Sequence, residues 1–197
     1  MVRDRGVPLA EGTVADVGAR RGQAHYVLLA GGTQVPCDFL VVAAGAWSRP
    51  LCLSLGDRVP LDTERGYATT LPCDRSRIRN LLLFPNDEFV ATPMQEGLRI
   101  GGTVELAGLK APPNFARTRM LVQTMKSYFP TIDTEGRSDW MGFRPSLPDG
   151  LPVIGRSPTT SNAFYAFGHG HVGLTQSAIT GRLLAQALCD QVPDVDL

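Results

Sequence analysis

The sequence predicts an α/β fold interrupted by an antiparallel insert of α+β type. Two apolar runs, Leu40-Val41-Val42-Ala43-Ala44 and Ala163-Phe164-Tyr165-Ala166-Phe167, are short, end at glycine and are apolar on both faces, as covered strands are. Between them, residues 61–105 break into short strand-like segments at Asn86-Asp87 and Glu96-Gly97, the pattern of a meander. After the second run, Leu174, Ala178, Ile179, Leu183, Leu184, Ala187 and Leu188 recur one, three and four residues apart, which is one apolar helix face.

In chain order, residues 7–17 read as a strand and Arg20-Arg21-Gly22-Gln23 as a solvated turn. Residues 25–29 and 33–35 flank Gly31-Gly32, a two-residue hairpin signal. Asp38 opens the run at 39–44, read as a central parallel strand that stops at Gly45-Ala46-Trp47-Ser48. Residues 61–71 are an extended entry strand, and 81–84, 88–94 and 98–105 complete the meander. Residues 116–129 have helical spacing, with Met120, Leu121, Met125 and Tyr128 as the inner face and Pro130 as the stop. Tyr26 and Met94 are assigned to the core as well. Trp140-Met141-Gly142-Phe143-Arg144-Pro145 precedes the turn Pro148-Asp149-Gly150, and 151–155 is a further strand. These changes of texture divide the chain at 1–60, 61–138 and 139–197.

Bulk composition narrows the function classes. The 197 residues suffice for a sizeable core. With 19 basic and 19 acidic residues the formal charge is zero, which argues against nucleic acid or an anionic membrane as the main partner. The longest apolar run, 39–47, is too short for a transmembrane segment, and residues 1–6 show no secretory signal. Cys37, Cys52, Cys73 and Cys189 have no close pairing, so reduced thiols in a cytoplasmic protein are expected.

The stretch Phe167-Gly168-His169-Gly170-His171-Val172-Gly173-Leu174-Thr175 joins an apolar strand to a helix start. Such a loop aims backbone N–H groups and a positive dipole end at an anionic or electron-rich ligand. Its Gly168-x-Gly170-x-x-Gly173 lettering matches the dinucleotide fingerprint, but that motif needs a second strand with an acidic end. The loop therefore reads as a helix start that closes over another part of a ligand.

Six segments carry a resemblance in common order: 41–48, Glu64-Arg65-Gly66-Tyr67, 102–105, Gly142-Phe143-Arg144-Pro145 with 146–149, 152–155 and 167–175. Together they resemble the FAD-dependent amine oxidoreductases of the D-amino-acid oxidase and glycine oxidase superfamily, nearest its bacterial D-amino-acid dehydrogenase branch. The resemblance implies a FAD-binding domain of discontinuous segments (1–60 and 139–197) and an antiparallel-sheet substrate domain (61–138). It implies oxidation of the C–N bond of an amino acid by hydride transfer to flavin N5. Relatives begin with a glycine-rich pyrophosphate loop that has no counterpart before Val7. The expectation is therefore a carboxy-terminal portion that binds FAD poorly alone. The alternative is a non-catalytic module that needs a complementary amino-terminal chain or self-association as a homo-oligomer. Ala68 departs from the histidine that relatives often carry after the tyrosine.

Arg144 is the strongest site candidate, since its planar fork can hold a substrate carboxylate by two parallel hydrogen bonds. The alternative is an arginine stacked on Trp140 or capping a turn. Tyr67 is a candidate substrate contact or a half-buried strand tyrosine, and His169 is a third substrate candidate. The resemblance places Ala44, Gly45, Trp47, Gly168, Gly170, His171, Val172, Gly173, Leu174 and Thr175 around the flavin. His25, His169 and His171 lack a nearby carboxylate or cysteine at ligand spacing, so no metal site is expected. The amine substrate and the electron acceptor, oxygen or a membrane quinone, stay open.

Overall fold

The computed structural model describes residues 6–72, 78–193 and 195, leaving Cys73 outside. The chain forms two compact units, one of Met1–Leu61 with Leu147–Leu197 and one of Asp62–Ser146. The boundary falls at 146 and not at 138, because strand β9 (Ser138–Ser146) pairs along the whole of β5 (Asp62–Leu71). No helix among the described residues is long and apolar enough to cross a membrane.

The first unit holds two three-stranded sheets. The hairpin strands β1 (Val14–Arg20), β2 (Gln23–Leu29) and β3 (Gln34–Pro36) make one, all antiparallel. The other has the order β10-β11-β4, from Val153–Arg156, Ala163–Phe167 and Leu40–Val42, with β11 and β4 parallel. Strand β4, read as central, has β11 as its one neighbour among the described residues, and Phe39 and Val41 are exposed. A one-turn helix, Gly45–Trp47, runs into α1 (Ser48–Ser54), and Cys52, Leu55 and Leu61 pack with Val42, Tyr165 and Phe167. Helix α3 spans Ser177–Leu188 and starts later than the apolar spacing suggested. The chain turns through 168–176 first, which leaves Leu174 outside the helix and 90% exposed; Thr180 and Leu183 are the buried positions.

Polar hubs join segments far apart in sequence. Asp57 accepts hydrogen bonds from the hydroxyls of Ser157 at 2.5 Å, Tyr165 at 2.5 Å and Thr159 at 2.8 Å. Burial works to raise its pKa, yet the three donors prevail and hold it below the usual carboxylate value. Asn162 accepts from Ala24 N–H at 2.8 Å and donates to the carbonyls of Ala24 at 2.8 Å and Asp38 at 2.7 Å, so it ties β2 and the entry to β4 to the start of β11.

The second unit is one five-stranded antiparallel sheet of order β6-β7-β8-β5-β9, with β6 at Leu82–Phe84, β7 at Phe89–Met94 and β8 at Gly97–Leu106. Helix α2 (Ala116–Tyr128) brings Leu121, Val122 and Met125 to Leu71, Phe89, Leu98 and Ile100. Met120 and Tyr128, expected inside, are exposed; the Tyr128 hydroxyl instead donates to Asp87 at 2.5 Å. Met94, also expected in the core, is partly exposed on the surface.

Candidate functional site

Strand β5 separates the second unit into two chemical faces, because successive residues point to opposite sides. On the helix side stand Arg65 and Tyr67. Arg65 is fully buried, donating to the carbonyls of Gly108 at 2.6 Å, Ala111 at 2.7 Å and Pro112 at 3.2 Å, with Glu105 at 3.6 Å. Tyr67, 1% exposed, donates its hydroxyl to Glu105 and accepts from Asn114 N–H at 3.0 Å. Its ring meets Phe115 edge-on and carries the Arg117 guanidinium at 5.9 Å. The tyrosine is consequently a strut beneath residues 108–115, and the sheet does not bring it together with Arg144.

Arg144 belongs to the other face. It lies directly opposite Glu64, and the next same-face pair along the two strands is Gly66 and Gly142. Its guanidinium lies over Gly66: a Cβ there would sit 2.4 Å from Nη2. Trp140 occupies the equivalent space over Gly142, where a Cβ would meet Cη2 at 2.1 Å. The cation on Trp140 is Arg99, 4.8 Å from the ring centroid. Burial lowers the Arg144 pKa from its ordinary value while the Glu64 charge acts to raise it, and an arginine stays charged at neutral pH in either case. Arg144 Nη1 is buried and has no hydrogen-bond partner. A shut-in, unsatisfied donor costs roughly 1–3 kcal/mol, which a carboxylate accepting from the fork offsets. The glycine floor was not read from the sequence. Its signal was available, as Gly66 and Gly142 flank the best candidate in two strand-like segments.

The remaining candidates are in the first unit. Gly168 and Gly170 have left-handed φ values of 89° and 53°, and a Cβ on Gly168 would strike Leu147 Cδ1 at 2.3 Å. His169 is half-buried with Nε2 2.9 Å from Thr180 Oγ1, and burial lowers its pKa, so it stays neutral at pH 7. His171, Val172, Leu174 and Thr175 are exposed along the turns before α3, with Gly173 half-buried against His169. At the end of β4, Ala44 leads into Gly45, whose φ is 56° and whose Cβ position is open to 4 Å, and then into exposed Trp47. Ser48 Oγ and Gln176 Oε1 are buried without partners.

These groups fit the ring end of FAD, offering uncovered backbone at Gly45 and polar atoms in want of a partner. No strand follows α3 among the described residues.

A family model described as DAO, FAD dependent oxidoreductase, matches residues 1–187. A D-amino-acid oxidase of Bradyrhizobium diazoefficiens is 44% identical over 168 residues, covering 83% of this chain and 40% of that protein. A D-amino acid dehydrogenase of Xanthobacter autotrophicus is 34% identical, covering 93% of this chain and 44% of its own length. Glycine oxidase from Geobacillus kaustophilus shares the fold with a TM-score of 0.79 at 22% identity, over 93% of this chain and 50% of that one. Iminodiacetate oxidase from Chelativorans sp. BNC1 does so at 0.77 and 22%, over 99% and 53%. The chain thus spans less than half the length of these curated relatives.

Proposed function

The chain belongs to the FAD dependent oxidoreductase family, and from that premise we propose that it supplies the carboxylate-binding side of an enzyme oxidising the C–N bond of an amino acid. The observation that carries this is Arg144, a guanidinium laid on a glycine floor with a buried N–H in want of an acceptor. The fork takes the substrate carboxylate through two parallel hydrogen bonds, which fixes the α-carbon and removes rotational freedom before reaction. Gly66 and Gly142 keep the sheet surface low beside it. FAD, when bound, supplies the acceptor for the α-hydrogen and its electron pair. The substrate amine reacts neutral, and the imino acid that leaves hydrolyses to a keto acid and ammonia, or to a free amine when the nitrogen is substituted.

Ala44, Gly45, Trp47, Gly168, Gly170, His171, Val172, Gly173, Leu174 and Thr175 hold the flavin ring in this reading, and neutral His169 keeps the loop in shape through Thr180. The names of the relatives favour a D-amino acid; hydroxyproline-type and N-substituted amino acids share the same carboxylate beside an oxidisable bond. In a FAD-loaded protein containing this chain, anaerobic addition of a D-amino acid bleaches the flavin band, whereas the decarboxylated amine of the same side chain does so far more slowly. Equal rates with both would remove the carboxylate anchor.

A further inference from the structure

The β1–β2 hairpin carries a concavity of about 510 Å³ at its closed end, lined among the described residues by Arg20, Arg21, Gln23 and His25. Arg20 pairs with Gln23, so Arg21 and Gly22 form a two-residue loop, with left-handed φ values of 54° and 73°. Such a loop favours asparagine, aspartate or glycine at its first position, and an arginine there costs backbone energy. His25 is the extra residue of a β-bulge, since Gly18 faces Tyr26 and Ala19 faces Ala24, and a bulge re-aims the side chain it carries. The frame is tied down from behind. Gly22 O accepts from Ser161 N–H at 2.9 Å and from its hydroxyl at 3.2 Å, while Asn162 clamps both the N–H and the carbonyl of Ala24 at 2.8 Å. Gln23 thus stands between two tethered residues. No carboxylate pairs with either arginine among the described residues. Ser161 and Asn162 precede β11 and the Gly168 loop follows it, so the concavity and the proposed flavin-ring loop lie at opposite ends of one strand.

We propose that this concavity binds a phosphorylated sugar or polyol, a second ligand separate from the substrate of the proposed oxidation. Two guanidinium forks without a counter-ion present planar, charged donors that match phosphate oxygens. The Gln23 amide donates and accepts, and the His25 ring nitrogens hydrogen-bond as well, which suits the hydroxyl groups of the ester. No aliphatic or aromatic hydrocarbon side chain is in the lining, so a nucleobase or an acyl chain gains little there. The volume falls within the range of small-molecule sites, about 300–1,000 Å³. Because the turn and the bulge are held by Ser161 and Asn162, little ordering is needed when the ligand arrives.

The test is an NMR titration of the full chain, following backbone amides, with glucose 6-phosphate, glucose, inorganic phosphate and phenyl phosphate. Wild type gives saturable shifts at residues 20–25 with glucose 6-phosphate, which binds about five- to tenfold more tightly than inorganic phosphate, and none with glucose. Arg21→Asn suits the left-handed turn and melts no lower than wild type, yet binds glucose 6-phosphate about fivefold or more weakly. Arg20→Gln, outside the left-handed positions, shows the same loss and decides the matter should the turn variant fold poorly. Gln23→Ala weakens glucose 6-phosphate and leaves inorganic phosphate unchanged. Absence of shifts at 20–25, or wild-type affinity in both arginine variants, overturns the inference. Glucose or phenyl phosphate bound as tightly as glucose 6-phosphate overturns it as well. Inorganic phosphate at equal affinity reduces the site to an adventitious ion only and overturns the claim for a sugar.

Discussion

The two units reach a buried core by opposite routes. Asp62–Ser146 is continuous, and its sheet pairs β6, β7 and β8 in sequence order before β8 and then β9 return to β5. The other unit is assembled from segments about a hundred residues apart and secured by polar hubs, Asp57 to Ser157, Thr159 and Tyr165, and Asn162 to Ala24 and Asp38. Charge is used differently in each. The continuous unit buries Arg65, which holds the loop at 108–112, and carries Arg144 on the other face of its sheet. The discontinuous unit buries an anion served by hydroxyls. Arg144, the proposed carboxylate anchor, thus sits on the unit with the more local folding problem, where the glycines beside it are set by strand register.

The sharpest way to break this contrast is Arg65→Met. Removing the guanidinium strands three carbonyls and Glu105, and loss of one partner from a buried ionic network costs about 3–5 kcal/mol. Hydrogen exchange should accelerate across 62–146 and far less across 6–61; uniform acceleration would mean the units do not unfold independently.

Asp57→Asn comes next, at about 1.5–3 kcal/mol for hydrogen bonds that lose their charged acceptor. The carboxylate has a lowered pKa in the fold, so its stabilisation is complete above the unfolded value near 3.9 and fades as pH falls through the folded value. Wild type should therefore lose stability on acidification more steeply than Asp57→Asn, with the two curves converging at low pH. Parallel acid limbs would show the hub to be electrostatically idle.

The smallest effect on stability is expected from Gly66→Ala, within about 1 kcal/mol, because the atoms a new Cβ meets are the movable end of Arg144. Carboxylate affinity should nonetheless fall several-fold as the fork is lifted from its floor. Loss of fold with unchanged affinity among surviving molecules would make the glycine structural.

Several elements were legible because period and punctuation agree. Strand β11 occupies 163–167, and α2 ends beside Pro130 as its spacing predicts. The start of α3 was not, since Leu174 continues the apolar rhythm while the two left-handed glycines still hold the chain in turns. Nor was the placement of Tyr67. Strand β5 is buried on both faces at 65–69, so no alternation shows which side its tyrosine takes, and only the hydroxyl's link to Glu105 decides it. Asp57 and Asn162 gave no signal, as polar loop residues whose partners lie 100 or more positions away have no local pattern. Arg144 was singled out by its Gly-x-Arg-Pro context, but the orphaned Nη1 and the glycine floor exist only across two strands.

Arg144 is proposed to anchor a carboxylate by its two-pronged geometry and not by charge alone. The most direct test is the dissociation constant of a simple carboxylate for wild type and Arg144→Lys at equal ionic strength. Lysine keeps the charge but loses the fork, and one charged hydrogen bond is worth roughly 1.5–3 kcal/mol, so affinity should drop about tenfold or more with no change in thermal stability. Affinity equal in the two proteins would contradict the claim.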